Sequence, residues 1–156
     1  MALGATAVHP PGRATRGLRR VTTARMLVPE RGSQFLLGGV DIAFECTGGA
    51  SGLDSALRLV RSGGTVVASG MPSGSVDLTP LWYRELSLVG AYASDSGGPD
   101  GARADFTEAV ELAAAAPLDD WVEPAYPLGR WREALGHAAD AGRLGSVKIV
   151  FDPRRD

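Results

Sequence analysis

The chain has 156 residues, of which 44% are apolar and 22% charged, and its formal net charge is −2. These values are typical of one ordinary globular domain, and the near balance of charge gives no reason to expect binding to nucleic acid or an anionic membrane. The single cysteine, Cys46, excludes an internal disulfide framework and a multi-cysteine metal cage. No long apolar run or signal-peptide pattern is present, so we expect a cytoplasmic protein.

The start of the chain, residues 1–37, is predicted to be a poorly structured lead-in. Residues 10–34 combine prolines, glycines and arginines with few apolar side chains. Such a composition buries little apolar area to offset the entropy lost on ordering. We therefore expect a loosely held connection or a weak helix there.

From residue 38 onwards, patterns typical of strands and helices alternate. Val40–Cys46 is a mostly apolar run that ends at a Thr-Gly-Gly turn, which favours a buried strand. A helical stripe follows over residues 53–60, with Ser51 as the expected N-cap and Gly63 as the expected left-handed C-terminal residue. Two further runs predict strands, Thr65–Gly70 and Leu86–Tyr92.

The last third of the chain adds two predicted helices and one strand. The helices are expected at 104–115 and 130–141, the second closed by Gly142, and the strand at Val147–Phe151. On this last helix His137 lies away from the apolar stripe, so we expect it to face solvent. The alternation predicts an α/β protein with a largely parallel sheet, which the last strand either joins or stands apart from.

In order and spacing, these segments resemble the C-terminal part of the zinc-type medium-chain dehydrogenase/reductase (alcohol dehydrogenase-like) family. The matching segments are Leu3–Val8 (the lead into the third strand), Gly39–Gly48 (the fourth), Gly63–Gly70 (the fifth), Glu85–Tyr92 (the sixth) and Tyr126–Val150 (the closing segment). The resemblance implies a partial Rossmann-type, doubly wound domain that lacks its first two strands. It divides the chain into a lead-in with a remnant of the third strand (1–37), the C-terminal half of an NAD(P)-binding domain (38–125), and a closing helix and strand that pack on the catalytic domain in the family (126–156).

The family's other parts have no counterpart in this sequence. They are the catalytic domain with its zinc ligands, the Gly-rich turn that holds the cofactor pyrophosphate, and the residue that reads the ribose. We therefore expect the C-terminal fragment of an NAD(P)-dependent zinc-type alcohol or polyol dehydrogenase, an oxidoreductase that is inactive alone and would act on a small alcohol. Two alternatives remain open: a non-catalytic interaction or dimerisation module, and a methyltransferase-like fold. Without the family's first two strands, one edge of the fourth strand has no neighbour. This unpaired edge predicts a homo-oligomer formed through strand edges.

The resemblance implies a set of residues that would contact NAD or NADP, mostly at strand ends. The set is Cys46, Thr47, Gly48, Ser69, Gly70, Met71, Ala91, Tyr92 and Lys148. From the residues alone, Cys46 is expected to be a small buried residue, Tyr92 a core aromatic, and Lys148 an exposed strand lysine. His9 and His137 lack metal-ligand spacing, so no metal site is predicted. No catalytic residue is predicted either, because the family's catalytic domain has no counterpart in this sequence.

Overall fold

The structure is a computed structural model that describes residues 4–30, 32–92, 98–118 and 121–155. It divides into two compact units, Ala7–Ala102 and a second built from Arg103–Asp156 together with Met1–Thr6. Within the described residues, no helix is both long and apolar enough to cross a membrane.

The first unit begins with a helix and a short hairpin. Helix α1 spans Ala14–Thr22, and strands β1 (Arg25–Leu27) and β2 (Phe35–Leu37) pair antiparallel. The sequence predicted at most a weak helix here, and α1 indeed buries no residue, whereas the hairpin was missed. Leu36 on β2 is fully buried and anchors the hairpin. Residues 4–8, which the resemblance matches to the lead into the third strand, form no regular element.

A three-stranded parallel sheet forms the centre of this unit. Its strands are β3 (Val40–Glu45), β4 (Val60–Ala68) and β5 (Ser87–Gly90), in the order β3-β4-β5. Helix α2 (Ala50–Leu59) connects β3 to β4, and the short helix α3 (Thr79–Tyr83) precedes β5. This confirms the predicted α/β class with parallel strands.

Both predicted ends of α2 were wrong. Gly49 is its N-cap and Ser51 lies inside the helix, while the helix ends at Leu59, well before Gly63. It ends there because Val60 already pairs with Val40 as the first residue of β4. Gly63, with φ +67°, instead lies in an irregular stretch of β4, where the register with β3 shifts.

The apolar core lies on one face of this sheet, between the strands and α2. It consists of Ala56, Leu57, Val60, Val66 and Leu86. The opposite face is open. Ile42 and Phe44, neighbours on that face, are 53% and 68% exposed.

The second unit contains a separate two-stranded parallel sheet. Strands β6 (Val122–Tyr126) and β7 (Lys148–Phe151) pair with each other, so the last strand stands apart from the β3-β4-β5 sheet. The sequence did not predict β6. Helix α4 spans Pro99–Ala115 and crosses into this unit from the first.

The predicted helix at 130–141 is two helices, α5 (Trp131–Ala139) and α6 (Ala141–Leu144). Gly142 was expected to close it but lies inside α6. The left-handed residue that ends α6 is Gly145, with φ +78°.

Candidate functional site

The turns after the three parallel strands lie at one edge of the sheet. They are Cys46–Gly49 after β3, Ser69–Gly74 after β4, and Ala91–Tyr92 after β5. Because parallel strands point the same way, their carboxyl ends share an edge, and ligands of open α/β sheets bind in the crevice outside that edge. We call it the carboxyl edge. It carries all the residues predicted to contact cofactor except Lys148.

Glu45, the last residue of β3, organises the first turn. It is buried, and its carboxylate accepts hydrogen bonds from the Thr47 backbone N–H (2.7 Å), the Thr47 hydroxyl and the Gly48 N–H (3.1 and 3.2 Å). The bond from the Thr47 hydroxyl, aided by those from the backbone, lowers the pKa of Glu45 against the opposing effect of burial. Sequence reasoning missed this residue, although a glutamate that ends an apolar strand before Thr-Gly-Gly was a usable signal.

The first and second turns are locked together through their backbones. The N–H groups of Ser69 and Gly70 both donate to the Glu45 carbonyl at 2.8 Å, and Ser73 donates to the Gly48 carbonyl from both N and Oγ at 2.9 Å. Gly48 and Gly70 make this approach possible. A Cβ on Gly70 would overlap the Gly48 nitrogen, and one on Gly48 would overlap the Met71 carbonyl. The turns are therefore rigidly placed against each other.

Several predicted residues at this edge are more exposed than the sequence suggested. Cys46 is exposed, not a small buried residue, because Glu45 fills the buried position at the end of β3. Tyr92 is 83% exposed, which contradicts its interpretation as a core aromatic, and Met71 is 87% exposed. Ala91 continues the ladder by donating to the Ala68 carbonyl at 2.9 Å.

Lys148 lies on β7 in the second unit and is exposed. The other eight predicted residues lie at the carboxyl edge of the β3-β4-β5 sheet, whereas Lys148 belongs to the β6-β7 sheet.

The chemistry of the carboxyl edge suits one part of a dinucleotide. Its three turns offer small or apolar side chains, the hydroxyls of Thr47 and Ser69, and main-chain groups, with no lysine or arginine among them. A cavity of about 230 Å³ adjoins the first two turns, lined in part by Gly48, Ser73 and Leu78. Such a surface fits a flat ring held by main-chain groups, as the nicotinamide end requires, and offers no cation for the pyrophosphate.

The described residues do not fit a zinc ion. Among them, no three histidine, cysteine or acidic side chains come close enough to hold a metal. Zinc requires three or four converging ligands, so no step of any reaction is assigned to zinc in this chain.

His137, expected to face solvent, is partly buried and hydrogen-bonded on both ring nitrogens. Nδ1 lies 2.8 Å from the Tyr126 hydroxyl and Nε2 lies 2.9 Å from Ser146 Oγ. These hydrogen bonds connect α5 to the end of β6 and to Ser146, two residues before β7. The expectation failed because it considered only the helix's own stripe and not β6, which the sequence did not reveal.

The first unit is thus an α/β fold with a parallel sheet whose strands β3 and β4 end in Gly-containing turns. The family model for zinc-binding dehydrogenases matches residues 1–115. The chain therefore belongs to the zinc-binding dehydrogenase family, as the sequence resemblance predicted.

Individual relatives agree with this assignment. Sorbitol dehydrogenase 1 of Saccharomyces cerevisiae is 30% identical over an alignment of 92 residues, which covers 56% of this chain and 24% of that protein. A thermostable alcohol dehydrogenase from Pyrobaculum aerophilum shares the fold with a TM-score of 0.63 and 24% identity, over 96% of this chain and 37% of that one. A zinc-binding dehydrogenase from Sinorhizobium meliloti, bound to NADP, has a TM-score of 0.55 and 25% identity over 74% of this chain and 32% of that one. The chain thus spans about a quarter to two fifths of the length of these relatives.

Proposed function

We propose that this chain supplies the nicotinamide side of the cofactor cleft in an NAD(P)-dependent zinc-type alcohol or polyol dehydrogenase. The supporting observation is the carboxyl edge, where two turns held together by Glu45, Gly48 and Gly70 present main-chain groups beside the exposed Met71. The family match and the NADP-bound relative support the choice of cofactor.

In this proposal the three turns bind and orient the cofactor ring. Thr47 and Ser69 offer hydroxyls, Gly70 and Ala91 offer main-chain groups, and Tyr92 offers an aromatic face. When bound, NAD(P) supplies the hydride acceptor or donor. The proposal assigns no acid, base or metal ligand to this chain. The residues that polarise the alcohol oxygen, and the Gly-rich turn that binds the pyrophosphate through its backbone, must come from outside residues 1–156.

The division into a lead-in (1–37), half of a cofactor domain (38–125) and a closing segment (126–156) remains part of this proposal, as does a cytoplasmic location. Lys148 in the closing segment is proposed to reach the cofactor pyrophosphate once the missing parts of the enzyme are present.

An activity assay tests the proposal. The purified chain is mixed with NAD⁺ or NADP⁺ and with sorbitol or ethanol, with and without zinc, and absorbance of the reduced cofactor is followed. We expect no reduction, and cofactor binding no tighter than about 1 mM, or about −4 kcal/mol. Turnover by the chain alone would contradict the proposal.

A fusion protein tests whether activity can be restored. Joining this chain to the first part of a zinc-binding dehydrogenase, which carries the zinc ligands and the Gly-rich turn, should restore alcohol-dependent reduction. In that fusion Lys148→Ala should weaken cofactor binding about tenfold, and Lys148→Arg, which keeps the positive charge, should not. A soluble, folded fusion without activity would argue against the proposed role.

The second candidate function, a non-catalytic interaction module, rests on a different observation. Within the described residues β3 pairs on one side only, with β4, and Ile42 and Phe44 lie exposed on the open face. An unpaired apolar strand edge is a template for pairing with another chain, which supports a homo-oligomer. Light scattering combined with cofactor titration separates the two candidates, because such a module assembles and does not bind NAD(P). Binding of S-adenosylmethionine instead would favour the methyltransferase-like alternative.

A further inference from the structure

Arg84 is a buried cation at the amino ends of the strands, the opposite edge of the sheet from the three turns. The residue is 2% exposed and lies between α3 and β5. Its Nη1 donates to the carbonyls of Leu57 (3.3 Å) and Arg58 (3.2 Å), and its Nη2 to those of Leu36 (2.6 Å) and Gly38 (3.3 Å). Four of its five N–H donors are thus held by backbone.

The fifth donor of Arg84 is unsatisfied. Its Nε is buried and has no hydrogen-bond partner within the described residues. In the same part of the chain no carboxylate forms a salt bridge with this guanidinium. Buried charges in proteins are normally paired, because removing an uncompensated charge from water is costly. Desolvation accordingly lowers the pKa of Arg84.

A cavity of about 150 Å³ adjoins this guanidinium. Arg84 forms part of its wall together with Arg58, Asp77, Thr79 and three apolar or aromatic residues, Phe35, Pro80 and Tyr83. Phe35 and Tyr83 meet edge to face, with ring centroids 6.5 Å apart. A cavity of about this size accepts a benzene-sized molecule. The walls therefore combine an aromatic pair with two guanidinium groups.

Two guanidinium groups and one carboxylate line the cavity wall. Arg58 is bonded to Asp54 outside the cavity (2.9 Å) and to Asp77 on its wall (3.1 Å), so Asp77 is the only wall carboxylate for two arginines among the described residues. Asp77 is also the less firmly held of the two partners of Arg58, since its side chain is 54% exposed and that of Asp54 is 23% exposed. A ligand carboxylate can therefore compete with Asp77 for Arg58, on the side of the cavity that Arg84 also lines.

We propose that this cavity, built around Arg84, Arg58 and the Phe35–Tyr83 pair, binds a small aromatic monocarboxylate of about the size of benzoate. The ring lies against the apolar part of the wall, and the carboxylate lies toward the two guanidinium groups. The site lies at the amino edge of the sheet and is separate from the proposed cofactor edge.

Benzoate itself is the probe. The full chain labelled with ¹⁵N is titrated with sodium benzoate at constant ionic strength, beside parallel titrations with benzyl alcohol and inorganic phosphate. We expect saturable shifts at Phe35, Tyr83 and Arg84 with a Kd of about 1 mM. Benzyl alcohol lacks the charge and phosphate lacks the ring, so each should bind at least about fivefold more weakly.

Charge variants make the test specific. Asp77→Asn removes the competing carboxylate and should tighten benzoate binding about fivefold, whereas Arg58→Gln should weaken it by a similar factor. Asp41→Asn is the matched control, because Asp41 pairs with the exposed Arg61 away from the cavity, and it should leave binding unchanged. The proposal is overturned if benzoate does not saturate, if benzyl alcohol binds equally well, or if D77N and D41N have the same effect.

Discussion

The two edges of the three-stranded sheet each bury one charged side chain, an anion bound by N–H groups at one edge and a cation bound by carbonyls at the other. At the carboxyl edge the buried carboxylate of Glu45 is held by the N–H groups of Thr47 and Gly48. At the amino edge the buried guanidinium of Arg84 is held by carbonyls that include those of Leu57 and Arg58. Neither charge has an ionic partner among the described residues.

Helix α2 explains why each charge suits its edge. The first turn of the helix lies beside Glu45, since a Cβ on Gly52 would meet its Oε1, and the last turn provides two of the carbonyls bound to Arg84. The helix dipole favours an anion at its N-terminus and a cation at its C-terminus. The two charged groups differ in how fully they are hydrogen-bonded. Both Glu45 oxygens have donors, whereas Arg84 keeps one donor without a partner in the described part of the chain. Arg84 Nε is itself enclosed by protein, so a ligand in the adjoining cavity would compensate the charge of the guanidinium without bonding to this atom.

The largest effect is expected from removing the cation at the amino edge. Arg84→Met leaves several buried carbonyls without donors, so it should lower the free energy of unfolding by about 3–5 kcal/mol. Arg61→Met, which removes an exposed arginine paired with Asp41, should change it by about 0.5 kcal/mol or less. Urea unfolding followed by circular dichroism measures both. Equal losses would mean that the carbonyl cage of Arg84 contributes nothing specific.

A second prediction concerns the close approach of turns at the carboxyl edge. Gly70→Ala places a Cβ against the Gly48 nitrogen and the Cys46 carbonyl carbon, and should cost about 1–3 kcal/mol of stability. Gly90 ends β5, and a Cβ added there would meet no atom within 4 Å, so Gly90→Ala is the control and should be nearly neutral. The same unfolding measurement applies. A neutral G70A would show that the two turns are not locked as described.

The smallest expected effect is a pH dependence from Glu45. Its pKa is lowered in the folded chain, so its contribution to stability is fully present above the ordinary glutamate pKa of about 4.3 and is lost as pH falls through the folded-state value. Thermal unfolding of the wild type should therefore move to lower temperature as pH drops below about 4.3.

Glu45→Gln tests the assignment of this pH dependence. The variant should be less stable than the wild type at pH 7, and the gap should narrow as pH falls. Asp41→Asn is a useful comparison, because the lowered pKa of Asp41 comes from the exposed Arg61 and its effect is screened by salt, whereas that of Glu45 is not. A constant gap between wild type and E45Q from pH 7 to pH 3 would contradict the role of Glu45.

The sequence predicted the carboxyl edge far better than the amino edge. Apolar runs ended by Gly-containing turns mark β3 and β4 directly, because period and punctuation are local signals. The cage around Arg84 joins β2, α2 and the segment before β5, up to 48 residues apart in sequence, and one of these, β2, was not predicted at all. No local sequence signal distinguishes a buried arginine from an exposed one when its partners are backbone carbonyls of distant segments.

Several sequence-based predictions of side-chain exposure were also wrong. Tyr92 and Cys46 were expected inside because of their residue type, yet both lie at strand ends where the sheet edge is open. His137 was expected to face solvent but is partly buried, because Tyr126 and Ser146 on neighbouring segments bind its two ring nitrogens. Residue type sets a preference for burial, and packing between distant segments decides the outcome.

The central claim is that the carboxyl edge is the nicotinamide side of a cofactor cleft, and ¹⁵N NMR with NADP⁺ tests it most directly. The full chain is titrated with up to about 10 mM NADP⁺ at constant ionic strength, a range that covers millimolar affinity. We predict chemical-shift changes that grow with concentration at Thr47, Ser69 and Met71, and none at Phe35 or Tyr83 on the amino edge. Shifts confined to the amino edge, or none at either edge, would contradict the claim.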